Sequence, residues 1–256
     1  MNMKKMIFDS DLDNTLMFSY KHRQEGDLCV ELLAGKKQGF MTPDTVALLE
    51  ELVQMIQFVP VTTRSIAQYL RIQFPERVAP AYAVVANGAI LLHNGQQDKR
   101  WEAETLELIT PWLAELERMA TVIPQRLEGR RLRWVDGAYL FLSCADREDA
   151  AYCRTRLTDT SLQVRTTGRK LYLFPPPVNK GVAVARLRRR FGMPAVIGAG
   201  DSEIDIPMLR VSDLAIAPDV SLLEGVSHDC RAVWDGIGRF PEYVLQRAVA
   251  FAQDGR

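Results

Sequence analysis

The sequence predicts an α/β protein in which a doubly wound parallel sheet is interrupted by a smaller α+β unit. Two patterns carry that expectation. In the outer parts of the chain, short apolar runs alternate with amphipathic helical stretches, the signature of a parallel sheet covered by helices. In the middle, a helix–strand–strand order occurs twice, and this αββαββ arrangement implies an antiparallel sheet packed on one side by two helices.

The elements follow in order. Met6-Ile7-Phe8 makes a first strand that runs into an acidic loop. Apolar segments at 29–33 and 39–41 flank Ala34-Gly35-Lys36-Lys37, which suggests a hairpin. Thr42 and Pro43 open a helix as N-cap and first helical residue, with Val46, Leu49, Leu52 and Val53 on one face. Phe58-Val59-Pro60-Val61 is a second strand, and Pro60 favours an edge or terminal position for it. Ala83-Val84-Val85-Ala86 is a third, closed by Asn87-Gly88.

A helix over 105–121 then places Leu106, Ile109, Leu113, Leu116 and Met119 on one side. Strands at 132–135 and 139–142 join through Asp136-Gly137, a helix covers 147–157, and strands at 162–165 and 171–174 surround Thr167-Gly168. Pro175-Pro176-Pro177 closes the insertion as a stiff, extended segment. The βα pattern resumes with a helix from Lys180, strands at 195–197 and 214–217 around a loop at 198–205, a short helix from Asp219 and a last helix over 240–252. The expected division is therefore a core of 1–88 plus 176–256 and an inserted unit of 89–175.

The 256 residues are 47% hydrophobic and 25% charged, an ordinary globular balance, and their formal net charge is zero. No global field steers the chain toward nucleic acid or an anionic membrane, so no nucleic-acid or membrane partner is expected. Cys29, Cys144, Cys153 and Cys230 show no CxxC pairing and read as free thiols of a reducing compartment. Lys4 and Lys5 precede an apolar run too short for a signal peptide, and no later segment approaches membrane-spanning length; the expected location is the cytoplasm.

Four segments carry chemistry. Asp11-Leu12-Asp13-Asn14-Thr15 follows the first strand, where two carboxylates two residues apart can share one reacting centre and one cation. A solvated acidic turn explains that pair equally well in isolation. Thr62-Thr63-Arg64 ends the second strand and offers hydroxyl donors to a phosphoryl oxygen, although threonines often end strands. Asn179-Lys180-Gly181 opens a helix, so Lys180 joins its charge to a helix N-terminus, whereas a lone surface lysine would be merely solvated. Gly198-Ala199-Gly200-Asp201-Ser202-Glu203-Ile204-Asp205 follows an apolar strand, and Asp201 and Asp205 are hard oxygen donors suited to Mg²⁺.

In order and context, D-x-D-x-T, a strand-end Thr, a helix-opening Lys and G-D-S-x-x-D resemble the four-part signature of the haloacid dehalogenase (HAD) superfamily. The resemblance covers essentially the whole chain outside the insertion and looks closest to the Cof-like and sucrose-phosphatase-like branch, which has a Rossmann-like core and an α+β cap between the second and third motifs. Ala86-Asn87-Gly88-Ala89 resembles the segment that leads into such caps. The resemblance implies a Mg²⁺-dependent phosphatase in which Asp11 is the nucleophile that forms an aspartyl-phosphate and Asp13 is the general acid/base. Thr62, Thr63 and Lys180 would hold the transferring phosphoryl group. Asp11, the Asp13 carbonyl and Asp201 would surround the metal, with Asp205 a nearby ligand or an orienter of metal-bound water.

The sequence departs from the family pattern at three points. Asn14 and Thr63 stand where glycine is frequent, and Asp9-x-Asp11 is a second D-x-D; only Asp11-x-Asp13 has a Thr two residues on, which leaves Asp9 as a structural carboxylate. In the insertion, one or two of Arg126, Arg130, Arg131, Arg133, Arg165, Arg169 and Lys170 could reach a polar or anionic substrate, while Trp101, Trp112, Trp134 and Tyr139 read as packing residues. The expected substrate is a small phosphorylated metabolite, first a sugar phosphate, with nucleotides and other metabolites open. A phosphomutase shares the signature. A non-catalytic binding module conflicts with the intact acidic set, and dehalogenation needs no Mg²⁺ loop.

Overall fold

The computed structural model describes residues 6–192 and 195–255; Lys4 and Lys5 lie outside them. In chain order the strands and helices are β1 (Met6–Ser10), β2 (Phe18–Ser19), β3 (Leu28–Leu33), β4 (Lys36–Met41), α1 (Pro43–Met55), β5 (Gln57–Pro60), α2 (Ile66–Tyr69), β6 (Tyr82–Val85), β7 (Ile90–His93) and β8 (Gln96–Gln97). Next come α3 (Lys99–Ile109), α4 (Leu113–Arg126), β9 (Arg131–Val135), β10 (Tyr139–Ser143), α5 (Arg147–Thr155), β11 (Gln163–Thr167) and β12 (Lys170–Phe174). The chain closes with α6 (Lys180–Phe191), β13 (Ala195–Ala199), α7 (Ile206–Leu209), β14 (Leu214–Ala217), β15 (Arg231–Val233) and α8 (Phe240–Gln253).

Five parallel strands in the order β15-β14-β13-β1-β5 form the central sheet. The fold class read in the sequence is the one observed. Every residue of β1 is buried, as a central strand covered on both faces requires. Phe8 packs with Leu49 of α1 and Val244 of α8 on one face, and Ile7 with Val184 and Leu187 of α6 on the other. Pro60 ends β5 at the sheet's margin, where its missing N–H costs no ladder bond. The expected third strand, β6, belongs instead to an antiparallel three-stranded meander with β7 and β8, joined to the main sheet through a parallel bridge between Val61 and Val84.

The second sheet is antiparallel, ordered β11-β12-β10-β9. Its strands alternate cleanly. Leu140, Leu142, Leu171 and Leu173 pack with Leu116, Met119 and Ile123 of α4 and Cys153 of α5, while Tyr139, Phe141, Tyr172 and Phe174 form an aromatic ladder on the opposite face.

The single helix expected over 105–121 is two helices. Asp98 caps α3 by accepting from the Trp101 N–H, well before the expected start. Thr110–Trp112 then forms a 3-10 turn, because Pro111 offers no N–H and its ring crowds the preceding turn. The earlier start rotates the buried face onto Trp101, Thr105 and Ile109, and Leu106, expected inside, is 55% exposed. The short elements β2, α2, β7, β8, α7 and β15 are absent from the sequence reading because each is too brief to show a period.

The helix expected from Lys180 is present as α6, and Asn179 caps it: its side chain accepts from the Val182 N–H. Arg186 of α6 is buried with its guanidinium 3.6 Å from the Trp101 ring centroid, and it donates to the Thr105 hydroxyl and the Trp101 carbonyl. That clamp fastens α3 to α6. No helix among the described residues is long and apolar enough to cross a membrane.

Candidate active site

From β1 the chain proceeds to β5 on one side, while β13 flanks β1 on the other, so the strand order reverses at β1. A crevice opens at such a switch point, outside the carboxyl ends of the strands. The ladder delivers the functional residues to it. The Asp11 N–H donates to the Ala199 carbonyl at 2.9 Å and the Val61 N–H to the Ser10 carbonyl at 2.8 Å, so the loops after β1, β5 and β13 leave the sheet side by side. Asn14 occupies the left-handed region at φ 61°, a conformation that asparagine tolerates, which accounts for its standing where glycine is frequent. From that turn Asn14 donates to Asp201 at 3.3 Å, and the Thr15 hydroxyl lies 3.5 Å from its other oxygen.

Asp11, Lys180, Asp201 and Asp205 meet at one point. Lys180, 1% exposed, reaches from the first turn of α6 to within 2.5 Å of both Asp11 and Asp205. One carboxylate oxygen from each of Asp11, Asp201 and Asp205 lies within 4.8 Å of the others. Asp205 is fully committed: its second oxygen accepts from the Asp201 and Ser202 N–H groups and the Ser202 hydroxyl, which shapes the loop. Gly200 is required beside it, since a Cβ there would fall 2.3 Å from the Asp205 Cβ. Thr62 is fully buried and its hydroxyl oxygen accepts from the Arg64 N–H, which leaves the hydroxyl proton to donate.

Three carboxylates against one ammonium leave two surplus negative charges in a buried space when all are ionised. Burial pushes Asp11 up to about 8, opposed by Lys180 and reinforced by Asp205, Asp201 and Asp13. Asp201 is pushed up to about 6 by burial and Asp205, against Lys180. Burial disfavours the Lys180 charge, but Asp11 and Asp205 outweigh it and hold the ammonium form. Hard oxygen donors, little access to solvent and a charge deficit of two suit a divalent cation. The residues therefore fit a metal, with Asp11 and Asp201 the donors less committed than Asp205.

Asp13 points elsewhere. Its carboxylate forms a bidentate pair with Arg64, at 2.9 and 2.7 Å, and despite burial this holds its pKa below the ordinary carboxylate value. Arg64 also bonds Glu31, which pairs with Arg71 at 2.9 Å. Glu31, Arg64 and Arg71 were not assigned roles from sequence, because isolated charges separated by tens of residues carry no local signal. Thr63, expected to bind phosphate, is instead held by the antiparallel unit: its carbonyl accepts from the Tyr139 hydroxyl at 2.6 Å, and its hydroxyl is hydrogen-bonded with the Tyr172 phenol.

A cavity of about 470 Å³ opens over Asp13 between the β3–β4 hairpin and the aromatic face of the second sheet. Of the seven basic residues nominated in the insertion, Arg133 and Lys170 line it. Arg126 pairs with Asp159 and Arg130 with Asp149, both away from the site. Trp134, expected as packing, is 44% exposed on the cavity wall, whereas Trp101 is buried core.

Asp9 is fully buried on the sheet face of Ile7, and neither carboxylate oxygen has a hydrogen-bond partner. Burial lifts its pKa well above the ordinary value, so it is a neutral acid beneath the site. A further cluster, Cys144, Asp149 and Cys153, is a structural knot: the Asp149 carboxylate serves Arg130 and the Ala145 N–H, and burial pushes the Cys144 thiol up to about 12.

Comparison with known proteins agrees with the resemblance read in the sequence. A phosphoglycolate phosphatase of Pyrobaculum aerophilum is 31% identical over 133 residues, which cover 50% of this chain and 54% of that protein, about half its length. No protein-family model matches. The sucrose-phosphatase of Synechocystis sp. PCC6803, solved with sucrose and phosphate, superposes with a TM-score of 0.64 at 18% identity over 98% of this chain and 99% of that one. A phosphatase of the haloalkanoate (HAD) enzyme superfamily from Bacteroides thetaiotaomicron gives 0.56 at 14%, covering 98% and 96%. A trehalose-6-phosphate phosphatase related protein gives 0.55 at 17%, covering 98% and 100%. The chain has the fold of these phosphatases.

Proposed function

We propose that this chain is a HAD-type phosphatase that hydrolyses a small phosphorylated metabolite of sugar-phosphate size through an aspartyl-phosphate on Asp11, with Mg²⁺ as cofactor. The observation that carries the reading is the meeting of Asp11, Lys180, Asp201 and Asp205 at the carboxyl ends of β1 and β13, beside the β5 end that leads into Thr62.

The Asp11 oxygen attacks phosphorus, and the P–O bond to the leaving group breaks as that oxygen takes a proton from Asp13. Water then attacks the aspartyl-phosphate and gives its proton to Asp13, which releases phosphate and restores Asp11. Lys180 and the Thr62 hydroxyl offset the charge of the transferring oxygens. Asp11, Asp201 and the Asp13 carbonyl would hold the Mg²⁺, with Asp205 behind them, and the ion would supply charge neutralisation at the transferring group. Arg64 holds Asp13 ionised at rest, so Asp13 has to take up a proton and loosen from Arg64 when substrate binds before it can act as the acid; the proton it later gains from water renews that form.

The antiparallel unit serves as the cap that closes the cavity over Asp13. We draw it from α4 to β12 in place of the 89–175 division, because β7 and β8 pair with β6, and Trp101 of α3 packs in the core cluster with Ile7 and Val184. Four free thiols suit a reducing compartment such as the cytoplasm.

The test is phosphate release across a panel of phosphorylated metabolites, with Mg²⁺ and with EDTA, beside Asp11→Asn. Release that needs both Mg²⁺ and Asp11 is expected. Turnover that survives in Asp11→Asn overturns the nucleophile, indifference to chelation overturns the metal, and isomerised product without free phosphate identifies a phosphomutase.

A further inference from the structure

The cavity over Asp13 holds more positive charge than phosphoryl transfer uses. Arg64 and Arg71 are neutralised there by Asp13 and Glu31. Asp136 is engaged as an acceptor for the Ile66 N–H at 2.9 Å. Lys170 and Arg133 line the same space and have no ion-pair partner among the described residues. Arg133 lies over the Phe141 ring, 5.0 Å from its centroid, which steadies its stem without consuming its charge. Lys170 opens β12 in register with Ser143 and Thr167, and it sits close enough to Asp13 for its charge to act on that carboxylate.

Lys180, on the floor, is already paired with Asp11 and Asp205, so Lys170 is not needed for the transferring group. Tyr139 and Tyr172, which bond Thr63, fix the sheet that carries Lys170 at a set height over the site. Two unpaired cations facing a confined space invite an anion, and an ammonium next to the leaving-group acid places that anion close to the scissile bond.

Building on the phosphatase reading, we infer that the substrate carries a second anionic group on its leaving-group side, a carboxylate or a second phosphate, bound by Lys170 with Arg133 at the rim. The substrate class is then a small phosphorylated hydroxy acid or a bisphosphorylated polyol, in place of a neutral sugar phosphate.

Two measurements separate this inference from the reading beneath it. Calorimetric binding to Asp11→Asn compares 2-phosphoglycolate with ethyl phosphate, and fructose 1,6-bisphosphate with fructose 6-phosphate. In at least one pair the doubly anionic member should bind about ten- to a hundredfold more tightly, the range for a hydrogen bond to a charged group. The pair showing the effect tells a carboxylate site from a phosphate site. Lys170→Met in the same background should erase the preference, and Lys170→Arg should keep most of it. Equal affinities within both pairs, or a preference that survives Lys170→Met, overturn the inference. Turnover of p-nitrophenyl phosphate by the unmodified active site separately decides the phosphatase reading, so an active enzyme with no anion preference sinks the inference alone.

Discussion

One methyl group, added where it carries no charge, should disable the site. Gly181 is the second residue of α6, and a Cβ there would lie 2.3 Å from the Pro207 carbonyl oxygen, 2.7 Å from its carbon and 3.0 Å from the Pro207 Cβ. Ordinary van der Waals contact begins near 3.4 Å, so Gly181→Ala has to push the start of α6 and α7 apart by about 1 Å. Lys180 precedes Gly181 and holds both its partners at 2.5 Å, so the displacement falls on the ion pairs that place Asp11. A misplacement of about 1 Å at a reacting group costs turnover about a hundredfold. Stability suffers far less. Overpacking costs about 1–3 kcal/mol and alanine recovers about 1 kcal/mol of helix propensity, which leaves a net loss of up to about 2 kcal/mol. Circular dichroism should then show a melting temperature at most about 8 °C lower. Gly192→Ala is the companion: that glycine ends α6 at φ +60° with nothing within 4 Å of its Cβ position, so the change should cost stability and spare turnover. Wild-type turnover in Gly181→Ala would refute the idea that α6–α7 packing sets the position of Lys180.

Two further outcomes follow from the same structure. Asp9→Asn should keep most phosphate release, because a neutral, unpartnered acid beneath the site is exchanged for an amide of the same shape; an inactive variant would make Asp9 part of the chemistry. Glu115→Gln should destabilise at neutral pH by about 1 kcal/mol, a figure kept low because Arg118 is partly solvated. Glu115 accepts from Arg118, Thr160 and the Ser161 N–H, and those bonds, Arg118 first, hold its pKa down to about 2. Its folded pKa lies below the unfolded value of about 4.3, so its contribution is present above that pH and fades as pH falls toward 2. Thermal melts of the two proteins should accordingly converge on acidification from pH 7, and a gap that widened would reverse the sign.

The sequence by itself determined what is local in cause. Met6 to Phe8 could only be a buried strand, and an acidic loop after it had to open at the sheet's carboxyl edge. Thr42 with Pro43 announced a helix start through capping chemistry that needs three or four neighbouring residues. Asp11, Lys180 and Asp201 each stand at the end or start of such an element, and the fold brings these three together.

Only the tertiary structure decided what depends on partners distant in sequence. Pro111 divided one expected helix in two, and the buried face turned toward Trp101 because Arg186, 85 residues away, clamps that ring. Thr63 went to Tyr139 and Tyr172, and Asp13 to Arg64, because side chains from the hairpin, the strand-end loop and the antiparallel sheet converge on a space that no single segment encloses. That Lys170 and Arg133, of seven basic candidates, line that space follows in the same way. Strand alternation says which residues share a face, but which face closes over Asp13 is set by how the second sheet packs on the first.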